Sequence, residues 1–282
     1  MLDTAPPKIY VSKVPDGETT SIPSDAVELT SGVDGYIVNS SIDGLARPDA
    51  EIARSTLAGA DASRISGRQI PCRNIVLDVI PMPEINANRE RLYNILPYGE
   101  TLRFYFEKRG KIVFIDGEIE KMDGTFAPGK PFSFGVSIIC PFPWFQSVKL
   151  HSQSLVVGNN NPILYDGDVP AGWTLNVPPQ ESPPLVGSVG DLEITISGET
   201  FAYRGNISVP TICAIPGRKS FTGIRGATGD TRHPAFGAMI AGCQWPMISR
   251  NGNNVSVSCS DATREFFEKQ NVLTYRDTYS GV

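Results

Sequence analysis

The stretch LRFYFEKRGKIVFIDGEIEKMDGTFAPGKPFSFGVSII, residues 102–139, decides the fold of this chain. Short apolar runs alternate with turn-forming pairs, which predicts four strands: Leu102–Glu107, Lys111–Ile115, Glu118–Met122 and Phe132–Ile139. The predicted turns are Arg109-Gly110, Asp116-Gly117, Asp123-Gly124 and Pro128-Gly129. Every second residue from Phe132 to Ile138 is apolar, so we expect an antiparallel ladder with one buried face.

A strand and a short helix precede this ladder. Ile75, Leu77 and Val79 occupy alternate positions of the predicted strand. Asn86 is the expected N-cap of the helix, because its side chain can accept free backbone N–H groups. Leu92 and Leu96 share one helical face. One helix on an antiparallel sheet predicts an α+β unit.

The second half predicts a nearly all-β sandwich. The expected strands are Gly172–Val177, Leu192–Ser197, Thr200–Tyr203, Phe236–Ile240, Asn254–Cys259 and Asn271–Arg276. A hairpin turn is expected at Ser197-Gly198-Glu199, and residues 216–234, rich in Gly, Arg and Thr, are expected to form a long loop. Because Cys140–Phe145 carries two prolines and closes the first ladder, we place a domain boundary near Lys149, giving domains 1–149 and 150–282.

Composition excludes several classes of protein. The chain has 282 residues, with 25 basic and 30 acidic side chains, which argues against a surface that grips nucleic acid tightly. The 27 glycines and 23 prolines suit many strands joined by turns. No signal-peptide pattern and no membrane-length apolar run is present, so the sequence predicts no membrane association.

Five widely spaced cysteines form no CxxC pair: Cys72, Cys140, Cys213, Cys243 and Cys259. We therefore expect small buried hydrophobic residues in a reducing compartment, with neither a zinc knuckle nor a redox motif.

The sequence offers little catalytic chemistry. His151 and His233 lack a local nucleophile signature, so a structural or exposed role is expected for both.

His233, Cys243 and Cys259 match no zinc spacing, and Asp166, Asp168 and Asp191 favour turns over a calcium site. Paired carboxylates at Glu118 and Glu120, or at Glu265 and Glu268, are better explained by solvated faces than by glycosidase chemistry. Gly223, Gly226 and Gly229 lack the Walker lysine of a phosphate loop and indicate a contact loop. We predict no catalytic residue, no metal and no cofactor.

Several segments resemble the distal tail (Dit) proteins of siphophages. In the first domain these are Gly67–Ile70, Arg89–Leu92 and Cys140–Phe145, which resemble the N-terminal belt domain. In the second domain they are Tyr165–Pro170, Trp245–Ile248, Gly252–Val257, Leu273–Arg276 and Tyr279–Val282, which resemble a galectin-like domain. The order and spacing of these segments carry the resemblance, which covers most of residues 65–282.

The resemblance implies a mainly β structural protein of the virion, assembled in the host cytoplasm. It implies a homohexameric ring that joins the tail tube protein to a trimeric hub protein, carries receptor-binding proteins, and lets DNA pass through its lumen without specific binding. Because galectin-like sandwiches can stack a sugar on an aromatic ring, Trp173, Tyr203 and Trp245 are the candidate carbohydrate or partner contacts. A carbohydrate-binding module for the host surface is the alternative, and a wall-degrading hydrolase is a third hypothesis.

Overall fold

The computed structural model describes residues 6–32, 34–38, 42–56, 63–82, 84–125, 132–158, 160–178, 188–216, 218–224, 232–250 and 254–282. The chain divides into two compact units, Met1–Val148 with Tyr279–Val282, and Lys149–Thr278. The sequence places its boundary near Lys149, and the structure in addition returns the last four residues to the first unit. The fold is mainly β, as predicted.

The first unit is built on an antiparallel sheet and one helix. Its elements are β1 Lys8–Lys13, β2 Val27–Glu28, β3 Tyr36–Val38, β4 Glu51–Thr56, β5 Ser63–Gln69, β6 Arg73–Pro81, α1 Ile85–Ile95, β7 Thr101–Lys108, β8 Lys111–Thr125, β9 Ser133–Cys140 and β10 Phe145–Gln153. The sheet order is β2-β1-β7-β8-β9-β6-β3. The first residues of β10 also pair with β8. Among the strands of the described residues, β4 and β5 pair only with each other.

The predicted turn at Arg109-Gly110 is confirmed. Both residues have positive φ, 53° and 74°, which matches the twist that a two-residue hairpin needs. Lys108 pairs with Lys111 across it.

The predicted turns at Asp116-Gly117 and Asp123-Gly124 are wrong, because both pairs lie inside the long strand β8. Asp116 forms a bidentate ion pair with Arg103 on the neighbouring strand, at 2.7 and 2.9 Å. Gly124 lies against the ring of Phe132, which would approach a β-carbon there to 3.0 Å. In each case a partner outside the local sequence holds the chain extended. The fourth predicted turn, Pro128-Gly129, lies outside the described residues.

Gly117 is required by close packing and not by a turn. A β-carbon at this position would lie 2.8 Å from Cγ2 of Ile138 and 2.9 Å from Sγ of Cys140. We expect Gly117→Ala to lower the free energy of unfolding by about 1–3 kcal/mol, since a well-packed core resists added volume. Gly135→Ala on β9 is the matched control, because the nearest atom to its β-carbon would be 4.0 Å away. Urea unfolding of both variants measures the difference, and equal stabilities would contradict the packing argument.

The core of the first unit lies between the helix and one face of the sheet. Ile75, Leu77 and Val79 are buried as their alternation predicts. The same holds for Phe134, Val136 and Ile138 on β9, which pairs with β6. The buried side chains of Leu92 and Leu96 join this core from α1 and its C-terminal end.

The predicted N-cap of the helix is wrong. The helix begins at Ile85, so its cap is Glu84 and Asn86 lies inside the first turn. No side chain caps the first turn. The side-chain amide of Asn88, further along the helix, donates to the carbonyl of Met82.

Arg73 is a buried cation that is held by backbone carbonyl groups. Its guanidinium donates to four carbonyl oxygens at 2.5–2.8 Å, those of Gly44, Ala46, Pro143 and Ser280. It also lies 4.6 Å from the centre of the Phe145 ring. Burial lowers the pKa of Arg73 from its ordinary value, yet a guanidinium stays protonated at neutral pH. One side chain thus ties together three separate segments, including the last residues of the chain.

The second unit consists of two antiparallel sheets and a helix. Its elements are β11 Asn160–Pro162, β12 Trp173–Asn176, β13 Ser188–Gly190, β14 Glu193–Ile196, β15 Glu199–Ala202, β16 Asn206–Ile215, β17 Arg218–Ile224, β18 Arg232–Pro234, a 3-10 turn at Phe236–Ala238, β19 Asn254–Ser258, α2 Asp261–Gln270 and β20 Val272–Tyr279. One sheet has the order β18-β17-β16-β12-β20 with β13 also on β16, and the other has the order β11-β19-β14-β15. Both sheets contribute to one apolar core.

Two predictions for the second unit are wrong, and one helix was not predicted. Phe236–Ile240 is not a strand, and residues 216–234 are not one long loop, because Arg218–Ile224 and Arg232–Pro234 are paired strands. The helix α2 was not predicted. The hairpin at Ser197-Gly198 is confirmed, with φ values of 54° and 84°.

Within the described residues, no helix is both long and apolar enough to cross a bilayer.

Candidate functional site

The three aromatic residues predicted to contact a sugar or a partner lie in one hydrophobic cluster of the second unit. Trp173 and Tyr203 are fully buried, and their polar atoms donate to the carbonyls of Pro246 and Val189 at 2.7 and 2.9 Å. Neither presents a ring face to solvent. Trp245 is half-buried, with its ring centre 5.0 Å from that of Phe201, and is the one of the three that a ligand can reach.

The two histidines occupy different environments. His151 is nearly buried, with Nε2 2.9 Å from Oδ2 of Asp277 and its ring stacked on Tyr275 at 4.8 Å. Asp277 also accepts the backbone N–H of Asp166 at 2.9 Å, so the carboxylate closes a loop as well as holding the ring. The nearly buried contact between His151 and Asp277 is therefore suited to a structural role. His233 is exposed on the edge strand β18.

The cysteines are free thiols in three kinds of environment. Cys140 and Cys213 are buried as expected, Cys243 and Cys259 are half-buried, and Cys72 is exposed, so the expectation of burial is wrong for Cys72. Burial raises the pKa of Cys140 to about 12, and it also raises the pKa of Cys259. Because the thiolate is the nucleophile, burial lowers the reactivity of both thiols.

The acidic residues considered for metal or hydrolytic chemistry hold other partners. Among the described residues, no group of three or more His, Cys, Asp or Glu side chains could hold a metal ion. Glu265 and Glu268 form ion pairs one helical turn away, with Lys269 and Arg264. The Lys269 ammonium lowers the pKa of the exposed Glu265 from its ordinary value. Of the glycines considered for a phosphate loop, Gly223 lies in β17, and Gly226 and Gly229 lie outside the described residues.

An exposed hairpin in the first unit is the feature best suited to a function. Strands β4 and β5, together called the arm, form a two-stranded sheet of their own, and every residue of β4 is exposed. The arm carries Ile52 and Ile65, and Ile65 is 61% exposed. A lone two-stranded hairpin is at best marginally stable in water, and its edges invite pairing with another chain. The arm therefore has the properties of a segment that is covered on assembly.

A second exposed surface is the side of β3, β6, β9 and the end of β8 that faces away from the helix, called here the outer face. Its apolar members are Ile37, Val76, Ile80 and Ile139, of which the first two are exposed and the others half-buried. The carboxylates of Glu118 and Glu120 accept hydrogen bonds from the hydroxyls of Thr101 and Ser137. Asp123 pairs with Lys121 on the same strand.

The fold is similar to that of the Dit protein of phage SPP1, described as a paradigm of the hub adsorption apparatus in phages that infect Gram-positive bacteria. That match has a TM-score of 0.64 at 13% sequence identity and covers 89% of this chain and 96% of that one. Two structures of the phage P2 baseplate in its activated conformation, with Ca and with Sr, each match with a TM-score of 0.48 at 11% identity, covering 98% of this chain and 99% of theirs. No protein-family model and no curated protein matches the sequence. The resemblance inferred from the sequence is thus confirmed at the level of the fold.

Proposed function

We propose that this chain is a structural protein of a bacteriophage tail tip, a distal tail protein whose first unit closes six copies into a ring. The observation that carries the proposal is the match of fold with the Dit protein of phage SPP1 over nearly the full length of both chains. The role is architectural: the protein supplies shape and binding surfaces, and no reaction is assigned to it.

The arm gives this proposal a physical means of assembly. A head-to-tail contact that repeats with a suitable rotation closes into a ring. Six arms, each covered by a neighbouring copy, would remove the exposed hairpin edges that otherwise promote uncontrolled aggregation. Exposure along the whole of β4 supports a contact with another chain over one within the same chain.

The partners follow from the same proposal. The ring joins the tail tube to a trimeric hub, and the second unit, as a galectin-like domain, mounts receptor-binding proteins. The protein is a virion component assembled in the host cytoplasm. A formal net charge of −5 favours passage of DNA through the lumen over binding to it.

The mass of the purified protein in solution tests the proposal. We expect a species of six times the 30.5 kDa chain mass, seen as six-fold rings by negative-stain electron microscopy. Antibodies against the chain should label the tail tip of intact virions. A monomer at every concentration, together with unlabelled virions, would overturn the proposal.

Removal of the arm is expected to abolish ring formation. Replacing residues 51–69 by a short Gly-Ser linker deletes β4 and β5, which pair with no other strand. We therefore expect a folded chain that elutes as a monomer, slightly smaller than the 30.5 kDa unmodified chain, with the circular dichroism and melting temperature of the monomeric fold retained. Rings of unchanged size from this variant would exclude the arm as the contact.

A further inference from the structure

One side of the arm combines two isoleucines with two arginines. Strand β4 alternates, so Ile52 and Arg54 point to the same side, and their cross-strand partners are Arg68 and Ile65. All four side chains are exposed. On this side each isoleucine thus lies opposite an arginine, so the surface is both apolar and positively charged.

The outer face carries the complementary pattern. Its isoleucines and valine lie on β3, β6 and β9, and its carboxylates lie along the end of β8, where Glu118, Glu120 and Asp123 outnumber the single Lys121. Glu118 and Glu120 are exposed, and they accept hydrogen bonds from the neutral hydroxyls of Thr101 and Ser137. Lys121 pairs with Asp123 and also attracts Glu120, so one ammonium faces three carboxylates and an incoming guanidinium meets an excess of negative charge.

We infer that the outer face of one copy is the surface that receives the arm of the next copy. Arg54 and Arg68 pair with the β8 carboxylates while Ile52 and Ile65 cover the exposed isoleucines and valine of the outer face. The inference rests on the proposed ring and names its contact surface. Matching of opposite charge selects the partner and fixes the register, while the covered apolar area excludes water.

A second copy fits this surface better than the arm of the same chain does. Within one chain the isoleucines of the arm are exposed, and so are Ile37 and Val76 of the outer face. The contact is heterologous, since the arm and the outer face are different surfaces of each copy, and such a contact repeats around an axis.

Reversal of charge on either surface tests the inference. The arm variant Arg54→Glu/Arg68→Glu and the face variant Glu118→Lys/Glu120→Lys are each expected to lose the ring and to elute at 30.5 kDa. The chain that carries all four substitutions restores opposite charges across the contact, and we expect it to form rings again. Glu84→Lys/Glu90→Lys is the matched control, because these exposed glutamates flank and occupy helix α1, away from the outer face.

A mixture of the two variants provides a second rescue. The unmodified arm of the face variant fits the unmodified face of the arm variant, and the reversed arm of the arm variant has the opposite charge to the reversed face of the face variant. We therefore expect each variant alone to stay monomeric and the equimolar mixture to form rings in which the two variants alternate.

The outcomes separate this inference from the proposed function. If the unmodified chain forms no ring, the proposed function fails. If it forms rings that arm deletion abolishes, but neither the four-substitution chain nor the equimolar mixture forms rings, the outer face is not the receiving surface. Loss of rings in the glutamate control would also overturn the assignment, because the effect would then follow from net charge alone.

Discussion

Arg73→Met is expected to lower the free energy of unfolding of the first unit by at least about 3 kcal/mol, because each buried acceptor left without a donor costs about 1–3 kcal/mol. Four carbonyl oxygens lose their donor at once in this variant. Methionine fills much of the volume, so the loss reports on hydrogen bonds more than on packing. Arg73→Lys is expected to lose less, because an ammonium can donate but cannot span four acceptors as the planar guanidinium does.

Hydrogen exchange resolved by segment is the suitable measurement, since a protein of two units need not unfold in one step. Protection of the β6 and β9 amides is expected to fall in Arg73→Met. Arg204→Met is the control: its ion pair with Glu193 is largely exposed, and such pairs contribute about 0–1 kcal/mol. Unchanged protection of β6 and β9 in the Arg73 variant would show that water replaces the lost donors.

Strands with one buried face were predictable from the sequence. The alternation of apolar residues indicates the buried side of each strand, because a period of two places alternate residues on one face. These residues are Ile75, Leu77 and Val79 on β6, and Phe134 and Val136 on β9. Turn residues were less reliable. Asp116-Gly117 has the composition of a tight turn, but its structure depends on Arg103 across the sheet, which no local rule includes.

The sequence of helix α2 contains oppositely charged pairs at helical spacing, although no helix is predicted there. Glu265 and Glu268 were considered as paired carboxylates, although each has a basic partner four residues away, Lys269 and Arg264. Such spacing is typical of an exposed helix. Ser260 precedes the first turn, where a cap residue is preferred.

The strand β16 was missed for a different reason. Pro210 lies inside it, and Val209 has a φ of 47°, a conformation that β-branched residues rarely adopt. The pairing with β17 is irregular between Ser208 and Thr211, so the chain accommodates the proline at a bulge. No pattern of single residues predicts such an accommodation, because the neighbouring strands enforce it.

The candidate site was the part least accessible to prediction. The arm buries neither side within one chain, so its sequence has no apolar periodicity to reveal two strands. The outer face drew attention only as Glu118 and Glu120, which the sequence assigns to a solvated sheet. What a surface binds depends on which side chains the fold gathers there. The resemblance to a ring-forming family pointed to contacts between copies, and the structure then located the exposed surfaces.

Trp173→Ala is expected to lower the free energy of unfolding of the second unit by about 3–5 kcal/mol, the range for truncating a large buried aromatic residue. The side chain is fully buried on β12, between β16 and β20, and its indole N–H donates to Pro246. Trp173→Phe keeps most of the packing and leaves the Pro246 carbonyl without that donor, so a loss of about 1–3 kcal/mol is expected.

This stability effect decides how the carbohydrate hypothesis must be tested. Any loss of glycan binding in Trp173→Ala would follow from damage to the core, so the variant cannot report on a sugar site. Trp245→Ala can, because that ring is half-buried against Phe201 and its removal leaves the rest of the core in place. Urea unfolding and exchange at the β12 amides measure the first effect. If Trp173→Ala were as stable as the unmodified chain, the indole would not lie in the core, and Trp173 would again become a candidate ligand contact.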